Sequence, residues 1–134
     1  MFTPNERAFI IEQRFLRIAT VAPDGQPDVV TVSFDFDDHR FFIGGLNNPT
    51  TRKFRNVQAG EDRVALVLDD LASVEPYRPR GLRVYGHAEI VERKGYAGPG
   101  QYLAVTPDKH WSWGIEGPIM SDGKANFHRT SHDE

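Results

Sequence analysis

The chain has 134 residues, enough for one domain and too few for two of ordinary size. Its 16 basic and 19 acidic side chains leave a formal net charge of −3, which excludes a global basic field for nucleic acid or an anionic membrane surface. It contains no cysteine, which excludes disulfides and cysteine-ligated zinc or iron–sulfur clusters.

No apolar run approaches the roughly 20 residues of a membrane helix, and the opening MFTPNERAF lacks a signal-peptide pattern. A soluble, cytoplasmic protein is expected, with neither nucleic acid nor membrane as partner. The first element is a short helix from Thr3 to about Gln13, with Thr3 as cap, Pro4 in the first turn and Glu6 closing a capping box. Phe15 to Ala22 is a strand, and Pro23 to Pro27 supplies turn chemistry after it. From Val29 the chain alternates: Val30, Val32, Phe34 and Phe36 face one way, and Thr31, Ser33 and Asp35 the other. After a turn at Asp37–His39, Arg40 to Ile43 forms a short strand that stops at Gly44-Gly45.

Asn48-Pro49 opens a second helix, Thr50 to about Gln58, with Phe54 and Val57 inward. The near-continuous apolar run Arg63 to Leu68 predicts a central strand buried on both sides. A proline-bearing loop, Asp69 to Gly81, precedes a long strand in which Leu82, Val84, Gly86, Ala88 and Ile90 alternate with polar residues. Lys94 to Gly100 is a glycine-rich loop, and Gln101 to Thr106 the last strand, leading into Pro107–Gly114. Beyond Ile115 the chain is polar and patternless, so a domain over residues 1–115 and a loose tail, or an arm on a partner, over 116–134 are expected. Six strands and two short helices make the fold mainly β, an antiparallel barrel.

The segment Gly44-Gly45-Leu46-Asn47-Asn48-Pro49-Thr50-Thr51-Arg52-Lys53 is the most informative for chemistry. Cations in a first helical turn oppose the helix dipole, and a phosphate docked on Thr50, Thr51, Arg52 and Lys53 would turn that conflict into attraction. The alternative is that Arg52, Lys53 and Arg55 are a solvated face and the glycines shape a bulge. Thr31 and Ser33, with the backbone between them, offer an edge on which a planar heterocycle can lie; a plain solvent-facing strand side is the competing reading. No Walker spacing or GxSxG elbow occurs, the adjacent aspartates point apart, and His128 and His132 sit in a stretch with nothing to hold a helix. No metal site and no catalytic acid, base or nucleophile is assigned. Tyr96 and Tyr102 read as packing residues, and Trp111 and Trp113 as core or as a pocket wall.

In order and character, FLRIATVAPDGQPDVVTVSFDF, FFIGG with TTRKFRNV, DRVALVLDD, YRPRGLRVYGHAE and VTPDKHWSWG resemble the pyridoxamine 5′-phosphate oxidase-like proteins, especially the branch using the deazaflavin coenzyme F420. The resemblance spans nearly all of residues 15–114. It implies a six-stranded split β-barrel, the FMN-binding split barrel, forming a homodimer with two cofactor sites between the barrels. It implies further that Thr31, Val32 and Ser33 line the ring, with Gly45 beside it, and that Thr50, Thr51, Arg52 and Lys53 take the phosphate, joined by Asn56. The Tyr77–Arg80 loop would reach across from the second subunit, so that Arg80 meets the cofactor tail. The implied activity is hydride transfer between bound F420 and an unsaturated small organic substrate. An FMN-dependent oxidase or flavin reductase, and a non-catalytic flavin, deazaflavin or haem binder, are the alternatives. The place of Lys53 on its helix predicts an exposed side chain whose loss leaves stability unchanged.

Overall fold

A computed structural model describes residues 1–45 and 47–133. Helix α1 (Pro4–Glu12) starts as its residues require: the Thr3 hydroxyl accepts from the Glu6 N–H at 3.0 Å, and the Glu6 carboxylate accepts from the Thr3 N–H at 2.9 Å. Strands β1 (Leu16–Val21) and β2 (Pro27–Val32) form a hairpin in register Leu16 opposite Val32. A two-residue strand, β3 (Asp35–Phe36), pairs with β4 (Phe41–Ile43). A 3₁₀ turn, Asn48–Thr50, then leads into α2 (Arg52–Gln58).

The rest is antiparallel ribbon: β5 (Arg63–Ser73), β6 (Arg78–Gly95), β7 (Gly98–Trp113), the small hairpin β8 (Met120–Ser121) and β9 (Lys124–Ala125), and β10 (His128–Ser131). The main sheet runs β2-β1-β5-β6-β7-β4-β3, with β10 also on β7. Its two terminal strands, β2 and β3, are separated in the chain only by Ser33 and Phe34. The sheet must therefore curl until its ends meet, which makes the split barrel. The six expected strands are β1, β2, β4, β5, β6 and β7; β3 and β10 are short additions to them.

Leu16 and Ile18 of β1, Leu66 and Leu68 of β5, Leu82 and Val84 of β6, and Leu103 and Val105 of β7 fill the interior with Phe41, Ile43 and Phe54. Helix α2 packs against β1 and β6, closing this core with Phe54 and Val57. As the alternation predicts, Val32, Phe34 and Phe36 lean on the core while Thr31 and Ser33 are exposed; Val30, expected with the inward set, is exposed, and Asp35 is half-buried.

Four sequence expectations change. Strand β5 is buried on one face only: Val64, Leu66 and Leu68 are inside, while Ala65 and Val67 are half-exposed because nothing among the described residues covers that face. The expected loop 69–81 is instead a continuation of the β5–β6 ribbon, with Leu71 opposite Pro79. Pro79 is tolerated because β6 pairs with β7 only from Gly81 onward, so no ladder bond needs its missing N–H. Strand β7 likewise starts at Gly98, so that the expected loop Lys94–Gly100 shrinks to the turn Tyr96-Ala97, and it runs on through Pro107 to Trp113. It does so across a bulge at Asp108, where Tyr85 faces Lys109 but Gly86 faces Pro107.

The tail is the fourth. Residues 128–131 are not a loose arm but an edge strand on the second half of β7, with Thr130 opposite His110, while β4 occupies the first half at Leu103–Val105. A free sheet edge with unpaired backbone groups draws such a strand without any side-chain periodicity.

Gly44 is confined by packing. A Cβ there would overlap the Tyr102 ring, whose hydroxyl accepts from Gly95 and Ala97 N–H at 3.1 and 3.0 Å and donates to the Gly98 carbonyl at 2.7 Å. The ring cannot retreat, so Gly44→Ala is expected to cost about 1–3 kcal/mol of unfolding free energy in a denaturant titration.

Candidate functional site

The Thr51 hydroxyl caps α2, accepting from the Phe54 N–H at 3.4 Å and donating to the Asn48 carbonyl at 2.7 Å. The Thr50 hydroxyl donates to the Asn47 carbonyl at 2.7 Å. Both hydroxyls thus spend their hydrogens locally and present lone pairs, leaving anion attraction to the charged side chains and the helix start. Leu46, in the same segment, lies outside the described residues. Arg52 is exposed.

Lys53 is not exposed, contrary to the sequence reading: it keeps 7% of its surface. The 3₁₀ turn takes up Asn48–Thr50, so α2 begins at Arg52 and Lys53 falls on the side that carries Phe54, Asn56 and Val57 inward. Burial pushes the Lys53 ammonium below the usual lysine range, opposed by the negative charge of Asp28 on β2. Among the described residues, none of the ion pairs within 4.0 Å involves Arg52, Lys53 or Arg55.

Asn56 is 1% exposed and donates from Nδ2 to the Thr20 hydroxyl on β1 at 2.9 Å, but its Oδ1 is buried without a partner. An orphaned acceptor of this kind carries a desolvation cost until a donor arrives. Thr20 had a signal in the sequence, since it follows Leu16 and Ile18 on the inward face of β1, where a hydroxyl is out of character.

The second group of predicted residues lies on β2 and just beyond it. Thr31 and Ser33 are exposed and Val32 is half-buried. Because β2 ends the sheet order, one edge of its backbone is unpaired by neighbouring strands. Gly45 is exposed, with φ +139° and open space around its Cα, so it presents bare backbone next to the cation segment.

Arg80 is engaged inside its own chain. Its Nε and Nη2 donate to the two Asp70 carboxylate oxygens at 2.8 and 2.6 Å, and Nη2 also meets Glu12 at 3.1 Å. This fork holds the guanidinium firmly protonated and ties α1 to the β5–β6 ribbon. The Tyr77 ring in the turn between those strands is 71% exposed, and Arg78 beside it is exposed as well.

A groove of about 890 Å³ crosses the outer face of β1, β5, β6 and β7. Strand register sets Ala19, Ala65, Tyr85 and Lys109 side by side along it, a floor of small residues ending in an aromatic ring and a cation. Thr20, the partner of Asn56, lines its rim.

The donor set therefore suits a phosphorylated heterocycle. Arg52 and Lys53 are cations without an ion pair within 4.0 Å among the described residues, Asn56 offers an unused buried acceptor, and β2 and Gly45 offer bare backbone. The described residues contain no cluster of three or more metal-ligating side chains, and no helix among them is long and apolar enough to cross a membrane.

Comparison with known proteins adds to this geometry. A family model described as pyridoxamine 5′-phosphate oxidase matches residues 2–113. A Streptomyces rimosus subsp. rimosus protein named 5a,11a-dehydrotetracycline/5a,11a-dehydrooxytetracycline reductase is 35% identical over 127 residues, covering 90% of this chain and 88% of that protein. The crystal structure of a conserved hypothetical protein from Mycobacterium tuberculosis superposes with a TM-score of 0.66 at 22% identity, over 92% of this chain and 94% of that one. A structure named F420 Reductase gives 0.61 at 21% identity, over 78% of this chain and 94% of that one. The two structures share the split-barrel fold.

Proposed function

This chain belongs to the pyridoxamine 5′-phosphate oxidase family and is an oxidoreductase, and from that premise we propose that it binds the deazaflavin coenzyme F420 through Lys53 and Arg52 and reduces an unsaturated small organic molecule. The observation that carries the reading is Lys53: a lysine with 7% of its surface exposed, lowered by burial, with the charge of Asp28 opposing that shift and no ion pair within 4.0 Å among the described residues. A cation held this way is a cost to the fold unless an anion comes to it.

When bound, such a cofactor supplies hydride chemistry, and the protein supplies binding, orientation and exclusion of water. Lys53 and Arg52 hold the phosphate by charge, with Thr50 and Thr51 shaping the turn that presents them. The free edge of β2 at Thr31, Val32 and Ser33, with Gly45, offers backbone to the ring, and Asn56 Oδ1 receives a donor. Arg80 holds α1 against the β5–β6 ribbon from which Tyr77 projects. No side chain is assigned as acid or base, and solvent supplies the proton.

The relative named as a reductase of dehydrotetracyclines points to a planar, fused-ring, conjugated substrate. The floor of small residues in the outer groove is flat enough for one. The chain acts as a homodimer in the cytoplasm in this reading. Exposed Val21, Val29 and Tyr77 give a second copy apolar surface to cover, and such a copy would close a site that a single chain leaves open.

A fluorescence titration of cofactor-free protein with F420 and with FMN tests the choice. Saturable F420 binding tighter than FMN is expected. Tight FMN binding with no measurable F420 binding would replace this proposal by an FMN-dependent oxidase or flavin reductase on the same fold.

A further inference from the structure

Tyr96 sits at the tip of the β6–β7 hairpin, far in sequence from both halves of the candidate site. Its hydroxyl accepts the Gly44 N–H at 2.8 Å and lies 2.8 Å from the Ser33 carbonyl and 3.0 Å from the Gly44 carbonyl, either of which takes its hydrogen. Its own N–H donates to Asp35 Oδ2 at 2.9 Å, just beyond Ser33. Burial pushes the phenol above the usual tyrosine range, so it stays protonated and keeps its hydrogen to donate.

These bonds join two separate pieces of chain. One is the end of β2, Thr31–Ser33, the backbone edge offered to the ring. The other is the end of β4, Gly44-Gly45, from which the chain runs to Thr50–Lys53. Neither piece hydrogen-bonds to the other through the sheet, because β2 and β3–β4 lie at opposite ends of the strand order. The phenol bridges that seam, and Tyr102, edge-on to Tyr96 at 5.8 Å, holds the hairpin tip in place.

We propose that Tyr96 is a positioning residue for the cofactor site, setting the spacing between the ring edge at Ser33 and the phosphate segment that begins at Gly44. This rests on the cofactor reading above. A ligand that carries ring and phosphate on one frame needs both subsites in register, and a small misplacement of one weakens the whole. The phenol does not act on substrate, since its hydrogen and an acceptor lone pair are both committed to the backbone.

The test compares wild type with Tyr96→Phe, which keeps the ring and its packing and removes only the bridge. Each protein is titrated with F420 and with FMN, and the visible circular dichroism of the bound chromophore is recorded. Expected for Tyr96→Phe are a melting temperature within about 4 °C of wild type and faster hydrogen exchange at the Gly44 amide. Also expected are a dissociation constant raised about tenfold for whichever ligand the wild type binds and an altered dichroism band. A merely structural role would lower the melting temperature and leave the band of the bound form as it was. Unchanged affinity, or weaker affinity with an unaltered band, overturns the role of Tyr96 alone. Wild-type protein that binds neither ligand overturns the cofactor reading, and the role of Tyr96 with it.

Discussion

Glu6→Ala is expected to lower the melting temperature by roughly 10–20 °C, the largest effect of any single side chain considered for the fold. Glu6 is fully buried, and its carboxylate accepts from the Thr3 N–H at 2.9 Å, from His110 Nε2 at 2.9 Å and from the Ser112 hydroxyl at 2.7 Å. His110 and Ser112 are themselves buried, so alanine would strand two polar groups without solvent, a loss of about 3–5 kcal/mol. The network continues outward: His110 Nδ1 lies 2.6 Å from His132 Nε2, and Phe2 stacks on the His110 ring at 4.4 Å. Glu6 thereby locks the first helix, strand β7 and the residue following β10 into one unit.

The same group predicts a pH dependence. Burial by itself would raise the Glu6 carboxyl, but hydrogen bonds from His110, the Thr3 backbone and Ser112 outweigh it and hold the group down to about 2. A carboxyl lowered in the folded state contributes stability that is fully present above the ordinary value near 4.5 and is lost as pH falls toward 2. By linkage that amounts to about 3 kcal/mol, in line with the deletion estimate. His132 adds a loss at higher pH. Burial, the amino-terminal charge and His110 lower it to about 4, so acidification from 6.5 to 4 favours the unfolded chain, where it protonates freely. Denaturant midpoints measured from pH 7 to pH 2 check both, and Glu6→Gln should flatten the lower part of the curve.

Lys53 carries the second large effect, and it falls on binding. Lys53→Met keeps the buried stem and removes the charge; it is expected to weaken cofactor binding ten- to hundredfold, about 1.5–3 kcal/mol for one charge-assisted hydrogen bond. Lys53→Ala should show the same binding loss and, because the stem is buried, a loss of stability as well. The phosphate-free ring separates the two roles. If the charge grips phosphate, Lys53→Met weakens FMN in titrations and leaves riboflavin affinity as it was. Equal losses for both ligands would place the lysine at the ring.

Much of this was legible because it rests on local rules. The Thr3–Glu6 capping box and the stop at Gly44-Gly45 are short-range signals, and α1 and β4 form where their residues ask for them, whereas the second helix starts two residues later than expected, with Thr51 as its cap. The alternation along β2 correctly separates Thr31 and Ser33 from the side chains that lean on the core. What was hidden depends on contacts distant in the chain. The burial of Lys53 follows from where the 3₁₀ turn hands over to α2, a start two residues later than expected that leaves no mark in composition and sets Lys53 one turn before the inward Val57. Tyr96 reads as packing in the sequence because its partners are backbone atoms of Ser33 and Gly44, which no side-chain pattern announces. In sequence Glu6 shows only its capping-box role, since nothing near it foretells His110 and Ser112. The strand at His128–Ser131 leaves no sequence signal because backbone bonds to the open edge of β7, rather than apolar periodicity, hold it.

The most direct measurement is a crystal structure of the chain soaked or grown with F420 and, in parallel, with FMN. The account predicts phosphate density within hydrogen-bond distance of Lys53 Nζ, with the ring lying along Thr31–Ser33. Phosphate bound at another part of the barrel, with the start of α2 facing solvent and free of ligand, would contradict it.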